Sequence, residues 1–435
     1  MPGRPRQMRR INAVPARGTA TSEPIGLWWL RAVTVATMGY IVASQALMAV
    51  GGWSRLGFIF AALLFVLLLV GYLLRIGSLP LGNWVFLPLV FVSYCLARGV
   101  PEVGQEWPSD ALFSLITAFL GGIGVGMGIQ AGVPFRALVY AQVISSLCQI
   151  GAGLYGIGTE PQGGEEEVRY AGLAGNANEL GLQLTLGACL IWFLPKKAGA
   201  AACALALAAV AYAICTTGSR KAFLMMPVFL FLVSIQMAAY IKKHRALFAL
   251  AGIVGLGLAG IILTPTILEN AKDITAISRT LDPYDSSFDK RSGMAHQAVR
   301  LWHEAPLFGN GTDAFRRLSG YGTYAHNNYA ELLCDLGIAG TMLFYAVHLY
   351  ILFMCLRLPL PLRVYCCVFV LLLLVLDIGY VSYYRKQTVM ILMVLASIVT
   401  SCHRVRQTAK GPSAGQMSTA RPVGRPGFTR LPVRG

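Results

Sequence analysis

Charge is what this chain lacks. Only 13% of its 435 residues are charged, against about 25% in soluble globular proteins. Acids are the scarcer sign, with 19 Asp and Glu against 36 Lys and Arg. The ten cysteines form no CxxC pair, which excludes a zinc site or a disulfide framework of the usual spacing. All ten lie in or beside apolar runs and read as buried structural thiols. No internal repeat of about 20–50 residues is present, so a solenoid is excluded. What fills the chain instead is apolar sequence: 56% of residues are hydrophobic and the mean hydropathy is +0.61.

Those residues come in runs of about 20, each long enough to cross a bilayer as a helix. Twelve spans are expected, near 27–50, 56–74, 81–97, 111–130, 137–157, 176–194, 199–216, 222–241, 246–264, 329–356, 364–381 and 387–402. The fold class is therefore an all-α polytopic membrane protein with one integral domain, 27–402. The first span follows an Arg-rich tail and lacks a small-residue cleavage site, so it reads as a span and not a signal peptide.

A net charge of +17 invites a nucleic-acid partner, but its placement argues against one. Residues 1–31 hold six Arg against one acid, and residues 403–435 hold seven Lys or Arg and no acid. The flanks 1–26 and 403–435 are rich in Gly, Pro, Ser and Thr and are expected to be disordered. The excess of positive charge on cytoplasmic segments then puts both termini in the cytoplasm.

Under that topology 265–328 is one large periplasmic loop. Its "RSGMAHQAVRLW" has helical character, with Met294, Ala298 and Trp302 toward one face. Polar residues gather on the same outer side from three further stretches: "RYAGLAGNANELG" (169–181), "TTGSRKAFL" (216–224) and "YAHNNYAELLCDLGIAG" (324–340). Arg220 and Lys221 stand on the wrong side for the charge rule. They read either as snorkelling anchors or as an anion site, because the Arg fork grips phosphate oxygens bidentately. Arg291 either pairs with Asp289 or joins that site. Arg169 either neutralises Glu165–Glu167 or does the same. Asn176 and Asn178 are able to cap span six, and Asn327 to cap span ten. His326 suits proton transfer near neutral pH, with an interfacial anchor as the bland alternative. Glu331 and Asp335 either orient it or favour the helix start. His296 and His303 share a helical face, but too few ligands accompany them for a metal site. Asp377 is an intramembrane acid, either functional or a helix–helix hydrogen-bond partner.

The order R-x-x-G…N-x-N-E, S-R-x-A-x-L, R…W…P-L-x-G-x-G…F and H-N-x-Y…G-x-x-G resembles the O-antigen ligase and polymerase superfamily of bacterial membrane glycosyltransferases. Ala330 departs from it, standing where the family usually has Leu. The resemblance implies a glycosyltransferase-C-like helical bundle in the inner membrane that works without metal or cofactor. It implies transfer of a glycan from undecaprenyl pyrophosphate to a sugar hydroxyl at the periplasmic face, with inversion. The acceptor is lipid A-core for a ligase or another lipid-linked repeat for a polymerase. His326, Arg220 and Arg291 match the catalytic positions; Arg169, Asn178, Lys221 and Asn327 are assigned to substrate contacts. A lipid-linked sugar flippase is the alternative class, although the polar residues lie at a rim and not at the midplane where transporters bind.

Overall fold

The computed structural model describes residues 23–47, 55–76, 82–99, 109–155, 157, 159–161, 168–170, 172–174, 177–191, 211, 214, 217, 219, 222 and 286–409. Its elements are α1 (Glu23–Ala46), α2 (Leu56–Leu73), α3 (Phe86–Arg98), α4 (Ser109–Ala131), α5 (Phe135–Leu154), β1 (Thr159–Pro161), β2 (Val168–Tyr170), α6 (Ala177–Ile191), α7 (Ser286–Trp302), α8 (Ala314–Leu318), α9 (Asn328–Cys355), α10 (Leu360–Leu376) and α11 (Lys386–Ala409). Among the described residues the regular structure is all-helical apart from the β1–β2 ribbon, which sets Glu160 opposite Arg169.

The expected spans near 27–50, 56–74, 81–97, 111–130, 137–157, 176–194, 329–356, 364–381 and 387–402 each coincide with a helix. Those at 199–216, 222–241 and 246–264 fall almost wholly outside the described residues. By length and apolarity, four helical stretches among the described residues are sufficient to cross a membrane: Ile25–Ala46, Leu56–Leu73, Asp110–Ala131 and Asn328–Cys355. The stretches Asn83–Arg98, Leu362–Leu376 and Lys386–Cys402 are apolar but shorter. Large apolar side chains stay exposed along α2 (Ile59, Val66, Leu73) and α9 (Met342, Leu349, Phe353), as lipid-facing surfaces require.

Small residues let the helices approach. On α4, a Cβ at Gly122 would lie 3.3 Å from the Met390 backbone, and one at Gly126 would lie 3.0 Å from the Met393 carbonyl. Ser397 Oγ donates to the Gly126 carbonyl at 2.7 Å. Such close packing, with a hydroxyl between backbones, is how helices associate where burial from water contributes nothing.

Three boundaries differ from expectation. Helix α10 ends at Leu376, so Asp377 is its C-terminal cap and not a residue a turn inside the span. The cause is a polar cluster. Asp377 Oδ2 accepts from Asn328 Nδ2 at 3.1 Å and from Tyr345 Oη at 2.9 Å, and its carbonyl accepts from Asn328 N at 2.8 Å. Asp377 is thus a helix–helix hydrogen-bond partner. Helix α11 continues past 402 to Ala409, and α1 begins at Glu23. In the large loop, α7 buries Met294 and Ala298 against Ala325, Ala330 and Cys334, while Trp302 is only half-buried and donates its indole N–H to the Pro306 carbonyl at 2.9 Å.

The ends that carry polar residues meet at one end of the bundle. Gln149 of α5 donates to the Gln45 carbonyl of α1 at 2.9 Å. Arg98 of α3 reaches Gly309, and Glu179 of α6 reaches Arg385 just before α11.

Candidate functional site

The site is built on a break in α9. Gly337 has φ 65° and ψ −169°, a region essentially restricted to glycine. Breaking the helix there leaves the Cys334 and Asp335 carbonyls without the N–H groups four residues on. The loop between α7 and α8 replaces them. Asn310 N donates to Cys334 O at 2.9 Å and Gly311 N to Asp335 O at 2.8 Å. In return, Ile338 N and Ala339 N donate to the carbonyls of Pro306 and Leu307 at 3.0 and 3.1 Å. Helix α3 closes the arrangement: Arg98 Nη2 donates to Gly309 O at 2.7 Å and Tyr94 Oη to Leu336 O at 2.9 Å. A Cβ at Gly337 would lie 2.5 Å from both Gly309 N and Leu307 O. The glycines of "PLFGNG" and of "LGIAG" are therefore two sides of one backbone contact.

That contact fixes the start of α9, where His326 stands. His326 has φ 56°, a left-handed conformation uncommon outside glycine. It is held from both flanks. Asn327 Oδ1 accepts from Ala330 N at 3.1 Å, capping α9 as expected. On the other side, Ala325 N donates to the buried Glu331 carboxylate. The second oxygen of Glu331 accepts from Tyr384 Oη at 3.4 Å. One turn further, Asp335 accepts from Phe315 N at 2.8 Å and Tyr383 Oη at 2.9 Å. Glu331 and Asp335 therefore position the backbone on either side of the loop that delivers His326.

Around the histidine is an electrostatic cluster. The Tyr324 ring lies 4.2 Å from the His326 ring. Burial pushes the Tyr324 hydroxyl pKa up, while the neighbouring Arg385 and Arg291 pull it down. Arg385 donates Nη1 to Glu179 Oε2 at 3.0 Å. Its guanidinium lies 5.5 Å from the Tyr324 ring centre, 5.7 Å from Tyr380 and 5.3 Å from Tyr384, cation–π distances in each case. Burial alone would lower the Arg385 pKa; Glu179 and the tyrosines reverse that, so its pKa rises and its charge is firmly kept. Asp313, near α8, has a pKa raised by burial and only partly opposed by Arg316, whose Nε lies 3.7 Å from its carboxylate.

The comparison with family models bears on this region. Residues 204–345 match the model described as O-antigen ligase. Over that stretch the chain is similar to the O-antigen ligases. No curated protein matches it. The matched span runs through the 217–222 turn, α7 and the first half of α9, and so contains Arg220, Arg291 and His326. The match supports O-antigen ligase or polymerase-type chemistry in general.

Of the ligase-type positions, His326 packs against Tyr324, and the charge of Arg291 acts on the Tyr324 hydroxyl. Arg220 and Lys221 lie outside the described residues, but their neighbours are placed. Thr217, Ser219 and Ala222 are buried, and a Cβ at Gly181 of α6 would lie 2.8–3.0 Å from their side chains. Thr217, Ser219 and Ala222 therefore pack on α6 at Gly181, two residues from Glu179. Arg169 is on β2, and Asn178 is in the first turn of α6; Asn176 is outside the described residues. His296 and His303 are exposed on α7 and the loop after it. Sequence reasoning missed Tyr324, Glu179 and Arg385. Glu179 was visible in N-x-N-E. Arg385-Lys386 is a second basic pair at a span mouth, open to the same argument as Arg220-Lys221.

Proposed function

We propose that this protein transfers a glycan from undecaprenyl pyrophosphate to a sugar hydroxyl on lipid A-core, at the periplasmic face of the bacterial inner membrane. The observation that carries the reading is His326, held in a left-handed conformation between an Asn327 cap and the Glu331 carboxylate, beside Tyr324, whose hydroxyl feels the charges of Arg385 and Arg291. A strained residue so fully supported from both sides is a mark of function. In this reading twelve spans put both termini in the cytoplasm and 265–328 in the periplasm. The donor's lipid tail stays in the bilayer while its pyrophosphate reaches the polar end of the bundle.

The chemistry needs no covalent intermediate. The acceptor oxygen attacks the anomeric carbon as the bond to the pyrophosphate oxygen breaks, giving inversion. His326 takes the hydroxyl proton. Pyrophosphate is a good leaving group, so the remaining requirement is to stabilise its developing charge. Arg220 and Arg291 meet it without metal or cofactor. Arg169, Asn178, Lys221 and Asn327 contact donor or acceptor. Repeat-unit polymerisation would use the same groups with a different acceptor.

The test is transfer by purified protein in detergent, where no sealed bilayer exists and a flippase has nothing to do. His326→Ala and Arg220→Ala are expected to abolish transfer while expression and membrane insertion stay normal. Full activity in either variant overturns the assigned mechanism.

A further inference from the structure

We infer that Arg385 is a further pyrophosphate-binding residue of this site, gripping the donor through the edge of its guanidinium formed by Nε and Nη2. The inference rests on the transferase reading above and extends it to a residue outside the matched segment.

Arginine carries five N–H donors in a rigid fork. Here the fork donates one hydrogen bond, from Nη1 to Glu179. Nε is buried with no acceptor, and Nη2 has none among the described residues. Nε and Nη2 share the edge that pairs side-on with carboxylate or phosphate, donating two parallel hydrogen bonds. An enclosed donor left unmade in a charged group calls for an explanation, and a ligand oxygen supplies one. The side chain is not sealed off, since 18% of it remains exposed.

Its placement suits the donor. The Arg385 guanidinium lies 5.5 Å from the ring of Tyr324, and that ring lies 4.2 Å from the ring of His326, so one tyrosine separates it from the proposed base. Thr217, Ser219 and Ala222 pack on α6 at Gly181, two residues from Glu179. The tyrosine rings of Tyr324, Tyr380 and Tyr384 brace the guanidinium plane, and Glu179 orients it from the Nη1 end. A phosphate that reaches the Nε–Nη2 edge finds a planar, pre-positioned fork. The ammonium of a lysine at that position would act only as a point charge.

The test is binding of farnesyl pyrophosphate, a short isoprenoid pyrophosphate, to the purified full chain by calorimetry, with Arg385→Lys and Glu179→Gln alongside wild type. Losing charge-assisted hydrogen bonds in R385K is expected to weaken binding about tenfold or more, and to raise donor KM with acceptor KM unchanged. E179Q keeps the guanidinium and removes its competing anion, so it is expected to bind the probe several-fold more tightly. A purely structural tie between α6 and the α10–α11 loop predicts instead that both variants lose affinity together. That outcome overturns the inference, and so does wild-type affinity in R385K. If wild-type protein does not bind the probe, the transferase reading falls and takes this inference with it.

Discussion

Gly337→Ala attacks the one contact on which the whole site stands. Its backbone angles lie where an L-residue costs about 1–3 kcal/mol. The new Cβ would also meet Gly309 N and Leu307 O at 2.5 Å, both backbone atoms that no rotamer change moves aside. Relief requires the 306–311 loop to withdraw. That breaks the hydrogen bonds made by Asn310 N, Gly311 N, Ile338 N and Ala339 N, each worth about 0.5–1.5 kcal/mol. The expected loss is about 3–9 kcal/mol, the sum of strain and broken bonds. Gly320→Ala is the control: it also has a positive φ, 77°, but a Cβ there meets nothing within 4 Å. It should cost about 1–2 kcal/mol, the left-handed penalty alone. The assay is thermal unfolding of both variants in the same mild detergent, followed by transfer activity at a temperature where each is folded. G337A is expected to melt far below G320A and to lose transfer even where folded, because Glu331, Asp335 and His326 all ride on the segment it releases. Equal melting temperatures for the two variants would refute the packing argument.

Two further predictions concern the same end of the bundle. Glu331→Ala removes the acceptor for Ala325 N and frees the residue before His326; kcat should fall while donor KM holds, and Glu331→Gln, which retains an acceptor oxygen, should recover part of the loss. An equal fall in both variants would mean that Glu331 acts through its charge. Asp313 gives a pH prediction. Burial raises its native pKa above 3.8, so the folded state holds the proton longer than the unfolded chain. Stability from this group is present at low pH and is lost as pH rises from about 3.8 through the raised native value. Asp313→Asn should remove that part of the slope when unfolding is followed across the window, and an unchanged slope would sink the assignment.

The periodic and compositional parts of this fold were legible in the sequence because lipid demands long apolar helices. The helix break was not. "DLGIAGTMLF" reads as continuous apolar helix, and only the inserted 306–311 loop explains why Gly337 leaves it. The same holds for Asp377. Its sequence neighbours are all apolar, whereas its partners Asn328 and Tyr345 come from another helix. At the proposed site, Arg291 and His326 were chosen by residue type and order. Tyr324 was hidden because a tyrosine at a membrane rim is ordinary. Arg385 was hidden because its meaning lies in Glu179, some two hundred residues away. Long-range pairing of this kind leaves no local periodicity to read.

The central claim is tested most directly by giving the purified chain an undecaprenyl-pyrophosphate-linked oligosaccharide in detergent, with and without lipid A-core, and resolving the products by mass. The account predicts one glycan transferred per acceptor, only when core is present, and no product from His326→Ala. A ladder of lengthening glycans without core, or no transfer under either condition, would contradict it.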